Sequence, residues 1–209
     1  MDKQAVDYSL YLVTDRELLG RKDLTTTVDE AIKGGVTVVQ IREKNLPALE
    51  FLNLAFSLKD VTSRHHVPFI INDRVDIALA VDADGVHIGQ EDMPLAVARK
   101  LLGPGKLIGV SVATLKEALA AEAEGADYLG VGAVFPTATK EDADYVSLEI
   151  LREIRERVTV PVVAIGGIHE QNIRQVMAAG VEGAAVVSAI IARPDPYEAA
   201  RRLRQVMKT

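Results

Sequence analysis

The stretch Gln40-Ile41-Arg42-Glu43-Lys44 follows an apolar run and ends it with an amide and two cations. Val134-Phe135-Pro136-Thr137-Ala138-Thr139-Lys140 ends a second such run with two hydroxyls and a cation. A third run, Ile70-Ile71-Asn72-Asp73-Arg74, closes on an amide and a carboxylate beside an arginine. Arginine grips phosphate oxygens through two parallel bonds, and lysine acts as a mobile point charge. A carboxylate close by can share a Mg²⁺ ion with phosphate oxygens. The chemistry these tails suggest is the handling of phosphate groups together with a divalent metal.

Polar tails become a site only if the elements that carry them end at the same place. Eight short, β-branched apolar runs can be read: Ser9–Thr14, Val36–Ile41, Phe69–Asn72, Gly85–Ile88, Leu107–Val112, Tyr128–Val134, Val162–Ile165 and Ala184–Val187. Segments of helical period lie between most of them, such as Leu49-Leu52-Ala55-Phe56-Leu58 and Leu148-Leu151-Ile154-Val158. Near-continuous apolar strands alternating with helices imply an α/β fold whose parallel sheet is covered on both faces or closed on itself. Eight units in 209 residues predict one compact (β/α)8 TIM barrel spanning 1–209 as a single catalytic domain. The alternative is a doubly wound open sheet, but no Gly-x-Gly-x-x-Gly turn follows the first strand. In a barrel, polar residues at the carboxyl ends of successive strands gather at one mouth, where the chemistry is done.

An internal repeat runs through the approaches to strands two, four, six and eight. Gly35-Val36-Thr37-Val38-Val39, Asp82-Ala83-Asp84-Gly85-Val86, Gly125-Ala126-Asp127-Tyr128-Leu129 and Gly180-Val181-Glu182-Gly183-Ala184 align without gaps. Each reads as a helix C-cap followed by a tight loop. Two origins are open: a quarter-barrel symmetry, or turn chemistry that all such loops share.

Composition narrows the partners. The net charge is −6 with Lys and Arg scattered, which disfavours nucleic acid, since counterion release needs a coherent basic surface. Four Phe, five Tyr and no Trp leave little for base stacking. No apolar run reaches the roughly 18 residues of a membrane span, and no signal peptide is visible. Cysteine is absent, so disulfides and thiolate metal sites are excluded, and a cytoplasmic location is expected. Small phosphorylated molecules remain as substrates, held by local cations. The oligomeric state is not legible.

Strand alternation places Gln40 and Arg42 on one side of the second strand and Ile41 and Glu43 on the other. With Val38 facing inward, Gln40 and Arg42 point into the mouth and Lys44 lies just beyond; the competing reading is an ordinary rim ion pair of Arg42 with Glu43. Asp73 and Asp92, on adjacent strand ends and flanked by cations, form a candidate metal pair. Each also has a plain reading as a helix N-cap, with Pro94 in the first turn behind Asp92. Thr137, Thr139 and Lys140 form the sharpest cluster, in a loop stiffened by Pro136. Gly166-Gly167 ends strand seven and Val187-Ser188 ends strand eight, the usual phosphate loops of barrel enzymes. Ser111, ending strand five, is placed to offer its hydroxyl or N–H to a phosphate. Among the histidines, His65 and His66 are expected to be solvated, His87 to be a satisfied interior residue, and His169 to start a helix. None has metal-binding spacing.

Taken together, Tyr11-Leu12-Val13-Thr14-Asp15, Gln40 to Lys44, Ile71 to Arg74, Gly85 to Asp92, Gly109-Val110-Ser111, Val134 to Lys140, Val163 to Ile168 and Val186 to Ile190 form an ordered set. That set resembles the thiamine-phosphate synthase (thiamine-phosphate pyrophosphorylase) family over essentially the whole chain. The resemblance implies a transferase that joins hydroxymethylpyrimidine diphosphate to a thiazole ethyl phosphate, with or without a carboxylate on the thiazole, releasing diphosphate. It implies Mg²⁺ on Asp73 and Asp92. It implies pyrimidine diphosphate on Gln40, Ile41, Arg42, Glu43, Lys44, Asn72, Ser111 and Lys140, with Arg42, Lys44, Ser111 and Lys140 as the catalytic set. Thiazole phosphate would lie on Thr137, Ala138, Thr139, Gly167, Val187 and Ser188. The family is thought to react dissociatively, diphosphate leaving before the thiazole nitrogen attacks. Two positions depart from its pattern: Ala113 stands where the family often has His, and Ala133 where it commonly has Pro.

Three other readings compete. A thiazole tautomerase on the same barrel would not need the arginine, lysine and paired aspartates. A sugar-phosphate isomerase or epimerase would need an acid/base pair facing an α-carbon, and none is found. A phosphate-binding barrel without turnover would not need the complete set.

Overall fold

A computed structural model describes residues 2–137 and 145–207. Eight parallel strands close into a barrel in sequence order: β1 (Leu10–Val13), β2 (Val38–Ile41), β3 (Phe69–Asn72), β4 (Gly85–Ile88), β5 (Leu107–Val112), β6 (Tyr128–Val131), β7 (Val162–Ile165) and β8 (Gly183–Val186). Closure comes from β8 pairing with β1, Leu10 opposite Ala184. The sixth strand stops at Val131, short of the expected Val134, and the chain from Gly132 onward already forms the rim.

Alternation along each strand builds two separate cores. One face of the strands (Leu10, Leu12, Val39, Ile41, Phe69, Ile71 and their equivalents) packs outward against the helices. The other face fills the barrel with Tyr11, Val13, Val38, Ile70, Leu107, Tyr128, Val163 and Ala185, and Tyr8 closes it from the amino end. Both faces are apolar, which is why the strands read as continuous hydrophobic runs.

Helices include α1 (Leu24–Lys33), α2 (Ala48–Arg64), α3 (Val75–Ala80), α4 (Leu95–Leu102), α5 (Leu115–Ala123), α6 (Leu148–Arg157), α7 (Ile173–Met177), α8 (Ser188–Ile191) and α9 (Pro196–Met207). In α2 the buried stripe is Phe51, Ala55, Leu58 and Val61, whereas Leu49 and Phe56 are exposed. Two apolar stripes compete on that helix, and the one carrying Phe51 faces the strands. Among the described residues no helix is long and apolar enough to cross a membrane.

The internal repeat has a structural counterpart in every quarter of the barrel. Its first residue takes positive φ in each case: Gly35 +117°, Asp82 +51°, Gly125 +93° and Gly180 +84°. The side chain of the third residue then accepts an N–H from the first or second residue of the preceding strand: Thr37 from Leu10 (3.1 Å), Asp84 from Phe69 (2.9 Å), Asp127 from Ile108 (2.7 Å) and Glu182 from Val162 (2.8 Å). Where that residue is a carboxylate, a helix supplies a cation, namely Lys59 of α2, Arg99 of α4 and Arg155 of α6. Shared turn chemistry accounts for the positive φ but not for a recurring side-chain bond across strands, so the quarter-barrel reading is the better one.

Candidate active site

The carboxyl ends of the strands surround a cavity of about 210 Å³. Gln40, Arg42, Lys44, Asn72, Asp73, Asp92, Ser111, Thr137, Gly167, Val187 and Ser188 all line it. Residues scattered over some 150 positions of sequence thus meet at one mouth because each follows or ends a parallel strand. Ile41 and Glu43 do not line the cavity. Ile41 lies wholly buried in the outer core, and Glu43 pairs with Arg16 at 2.9 Å instead of with Arg42. Burial pushes the Glu43 carboxyl up, opposed by that arginine. Strand period explains the split: consecutive residues cannot face the same side. Ala138, Thr139 and Lys140 lie outside the described residues.

Neither candidate metal ligand serves as a helix cap. Asp73 sits at φ +62°, and its Oδ2 accepts from Lys44 Nζ at 2.7 Å. Asp92 Oδ2 accepts the Gly89 N–H at 2.6 Å, while the cap position of α4 is Pro94, not a first-turn residue. The two carboxylates lie close enough for the charge of Asp73 to act on Asp92. Burial and the Asp73 charge push the Asp92 carboxyl up, against the pull of the Gly89 N–H. Like charges held together in this way are what a divalent cation relieves. Among the described residues no cluster of three or more His, Cys, Asp or Glu is placed to hold a metal. Two carboxylates with room for water and phosphate oxygens suit Mg²⁺, which seldom takes an all-protein cage.

Below the rim, Gln40 and Ser111 are joined by a polar chain whose middle members the sequence did not single out. Gln40 Nε2 donates to the Tyr11 hydroxyl (2.8 Å), which meets the Tyr128 hydroxyl (2.8 Å). Tyr128 reaches His87 Nδ1 (3.1 Å), and His87 Nε2 meets Ser111 Oγ (2.9 Å). Two glycines make this possible. A Cβ on Gly109 would overlap the Tyr128 ring and come within 2.5 Å of His87 Nδ1, and one on Gly130 would stand 2.8 Å from the His87 ring. His87 and Tyr128 flank Gly109 in register on β4, β5 and β6, so the signal was a glycine between two polar aromatics on neighbouring strands. It can be found only once strand register is known. His87 is satisfied, as expected, but it also lines the cavity.

On the opposite side, Gly166 (φ +102°) and Gly167 (φ +61°) bring the β7 loop against the β6 loop. A Cβ on Gly167 would stand 2.5 Å from the Pro136 carbonyl oxygen. Asn172 holds the turn by donating to the Gly167 carbonyl and accepting the His169 N–H. His169 therefore belongs to the turn before α7. His65 is not simply solvated: it meets Asp29 at 2.7 Å, because α2 ends beside α1.

Comparison with known proteins identifies the family. Residues 10–190 match the family model described as thiamine monophosphate synthase. The thiamine-phosphate synthase of Clostridium beijerinckii is 52% identical over 202 residues, covering 97% of both chains. That of Clostridium acetobutylicum is 54% identical over 203 residues, covering 97% of this chain and 96% of its own. The solved thiamine phosphate pyrophosphorylase of Pyrococcus furiosus superposes with a TM-score of 0.90 at 47% identity, over 97% of this chain and 96% of that one. The chain belongs to the thiamine monophosphate synthase family and is an enzyme of thiamine biosynthesis.

Proposed function

We propose that the chain condenses hydroxymethylpyrimidine diphosphate with a thiazole ethyl phosphate, giving thiamine phosphate and diphosphate. The observation that carries this reading is the meeting of Arg42, Lys44, Asp73 and Asp92 at one rim, directly above Gln40 and Ser111. In that arrangement Arg42 and Lys44 bind the diphosphate, and Gln40 and Asn72 orient the pyrimidine ring deeper in the barrel. Asp73 and Asp92 would hold Mg²⁺, which when bound neutralises charge on phosphate oxygens. Thr137, Gly167, Val187 and Ser188 take the thiazole phosphate on the far wall, with Ala138 and Thr139 carried by the family resemblance alone. Lys140, likewise outside the described residues, is assigned to the diphosphate on the same ground.

The reaction is read as dissociative. The bond from the pyrimidine methylene to oxygen breaks, and diphosphate departs with the electron pair. The thiazole nitrogen then gives its lone pair to that methylene. No proton need move, in keeping with a site built from cations and hydrogen-bond donors. The residues' work is to stabilise charge on the leaving group and to hold the two rings together. An isomerase of the thiazole alone would leave the Arg42 and Lys44 cations without a task.

The test supplies the purified protein with both substrates and Mg²⁺ and follows thiamine phosphate and diphosphate. Equal yields of both products, abolished by EDTA, support the whole reading. Diphosphate without thiamine phosphate means that the pyrimidine half is right and the thiazole wrong. A folded protein that forms neither product refutes it. Supplying the carboxylated thiazole in parallel decides which form is used.

A further inference from the structure

We propose that Gln40, Tyr11, Tyr128 and His87 form a one-way hydrogen-bond relay that fixes the Ser111 hydroxyl as a donor into the cavity. Tyr11, Tyr128 and His87 are positioning residues; Gln40, which the proposed function also places against the pyrimidine, anchors the chain through Nε2, and Ser111 meets the phosphate. The relay rests on the proposed function only for the identity of what Ser111 meets, a phosphate oxygen.

The direction follows from counting protons. Tyr11 and Tyr128 are almost wholly buried, and burial pushes both phenols well up, so each keeps its single O–H proton. Gln40 Nε2 spends an N–H on the Tyr11 oxygen. Tyr11 must then place its own proton, and the neighbour it meets is the Tyr128 oxygen. The nearby Tyr8 hydroxyl offers no alternative, since it has no hydrogen-bond partner among the described residues. Tyr128, having accepted, gives its proton to His87 Nδ1. An accepting Nδ1 puts the imidazole proton on Nε2, which donates to Ser111 Oγ. The Ser111 proton is left to point away from His87, towards the cavity that Ser111 lines. Phosphate oxygens only accept, so a serine held in this sense meets a diphosphate correctly, and one held in the opposite sense would present a lone pair to it. Leaving buried polar groups mismatched costs more than the bonds themselves contribute, so the sense of the chain is held cooperatively.

Gln40 sets the direction because its donor and acceptor atoms are fixed, whereas the hydroxyls rotate and the imidazole can change tautomer. Replacing its donor by a second acceptor, Gln40→Glu, should therefore reverse every link. The readout is ¹⁵N NMR of histidine-labelled protein, with His87 assigned from His87→Gln. In the parent chain His87 is expected as the Nε2–H tautomer with a hydrogen-bonded Nδ1, and in Gln40→Glu at pH 8 as the Nδ1–H tautomer. An Nδ1–H parent, or the same tautomer in both proteins, overturns the relay. This readout needs no substrate, so it stands apart from the proposed function.

A second measurement covers the case in which Gln40→Glu fails to fold. Tyr128→Phe keeps the ring and removes one link; it should lower kcat about tenfold, the scale of one hydrogen bond to a charged group. In a Ser111→Ala background the same change should cost almost nothing, because the relay has lost its terminus. Equal losses in the two backgrounds mean a merely structural Tyr128 and overturn the proposal.

Discussion

Asp92→Asn should stabilise the metal-free protein and remove its response to Mg²⁺. Asp92 and Asp73 face each other, and burial with the Asp73 charge already pushes the Asp92 carboxyl up. Two unit charges about 4 Å apart repel by about 4 kcal/mol at an effective dielectric near 20. Lys44, at 2.7 Å from Asp73, and water at the open mouth cancel most of this. About 1 kcal/mol remains as a reasonable residue of the repulsion. Asparagine keeps an oxygen for the Gly89 N–H, so the loop has no reason to move. For a chain of this size 1 kcal/mol corresponds to roughly 2–4 °C in Tm. In EDTA the variant should thus melt about 2–4 °C above the parent. Adding Mg²⁺ to about a hundredfold over its Kd should raise the parent by about 2.7 kcal/mol and the variant far less. Thermal unfolding by circular dichroism, with and without the ion, measures both. A variant that melts lower in EDTA, or that gains as much from Mg²⁺ as the parent, refutes the paired-carboxylate account of this rim.

Arg42→Ala should cut turnover by about a hundredfold or more, the loss of one key electrostatic donor, while Tm stays within a degree or two. Lys140→Ala should do the same in a steady-state assay, and an unchanged rate removes Lys140 from the mechanism. Gly109→Ala should cost about 1–3 kcal/mol in urea unfolding, because its Cβ would overlap Tyr128, whereas Gly105→Ala, with open space around it, should be close to neutral. Asp23→Ala should cost about 1 kcal/mol through loss of the α1 cap, where Asp23 accepts the Thr26 N–H. Bonds from Thr25 and Thr26 hold the Asp23 carboxyl below the usual range. Its ionised form is thus favoured by folding, so the cost of Asp23→Ala is full at neutral pH and shrinks as pH falls through that lowered value. Unfolding curves for both proteins across that acid range show it.

The rim was legible because it is written in local code. Arg42, Lys44, Asp73 and Asp92 each sit within a few residues of a strand end, and an eight-strand parallel barrel leaves such ends only one place to go. Strand alternation separates Arg42 from Glu43, and the structure follows alternation where a contiguous Gln40 to Lys44 block does not: Ile41 lies in the outer core and Glu43 pairs with Arg16. The floor was not legible, for a physical reason. Tyr11, His87 and Tyr128 sit in apolar runs where an aromatic is expected to be core, and two of them are core. What makes them a polar chain is which strand lies beside which, at what register, and that Gly109 and Gly130 vacate the space between. Those are pairwise facts about strands separated by about 20 residues of helix and loop, and no periodicity within one strand encodes them.

The two ends of the barrel divide the work, and the quarter repeat shows how. At the amino end, Thr37, Asp84, Asp127 and Glu182 bind an N–H at the start of the preceding strand, and three of them are pinned by a helix cation. Those bonds lie on the side away from the cavity and fix each strand's height relative to its neighbour. Height matters at the other end, because one residue of slippage along a strand moves each side chain to the opposite face. Arg42 would then exchange places with Glu43, and Ser111 would leave His87. The chemistry at the mouth is therefore only as well placed as the registers set at the amino end. This is why a carboxylate such as Asp127, remote from any substrate, belongs to the account of how the site is built.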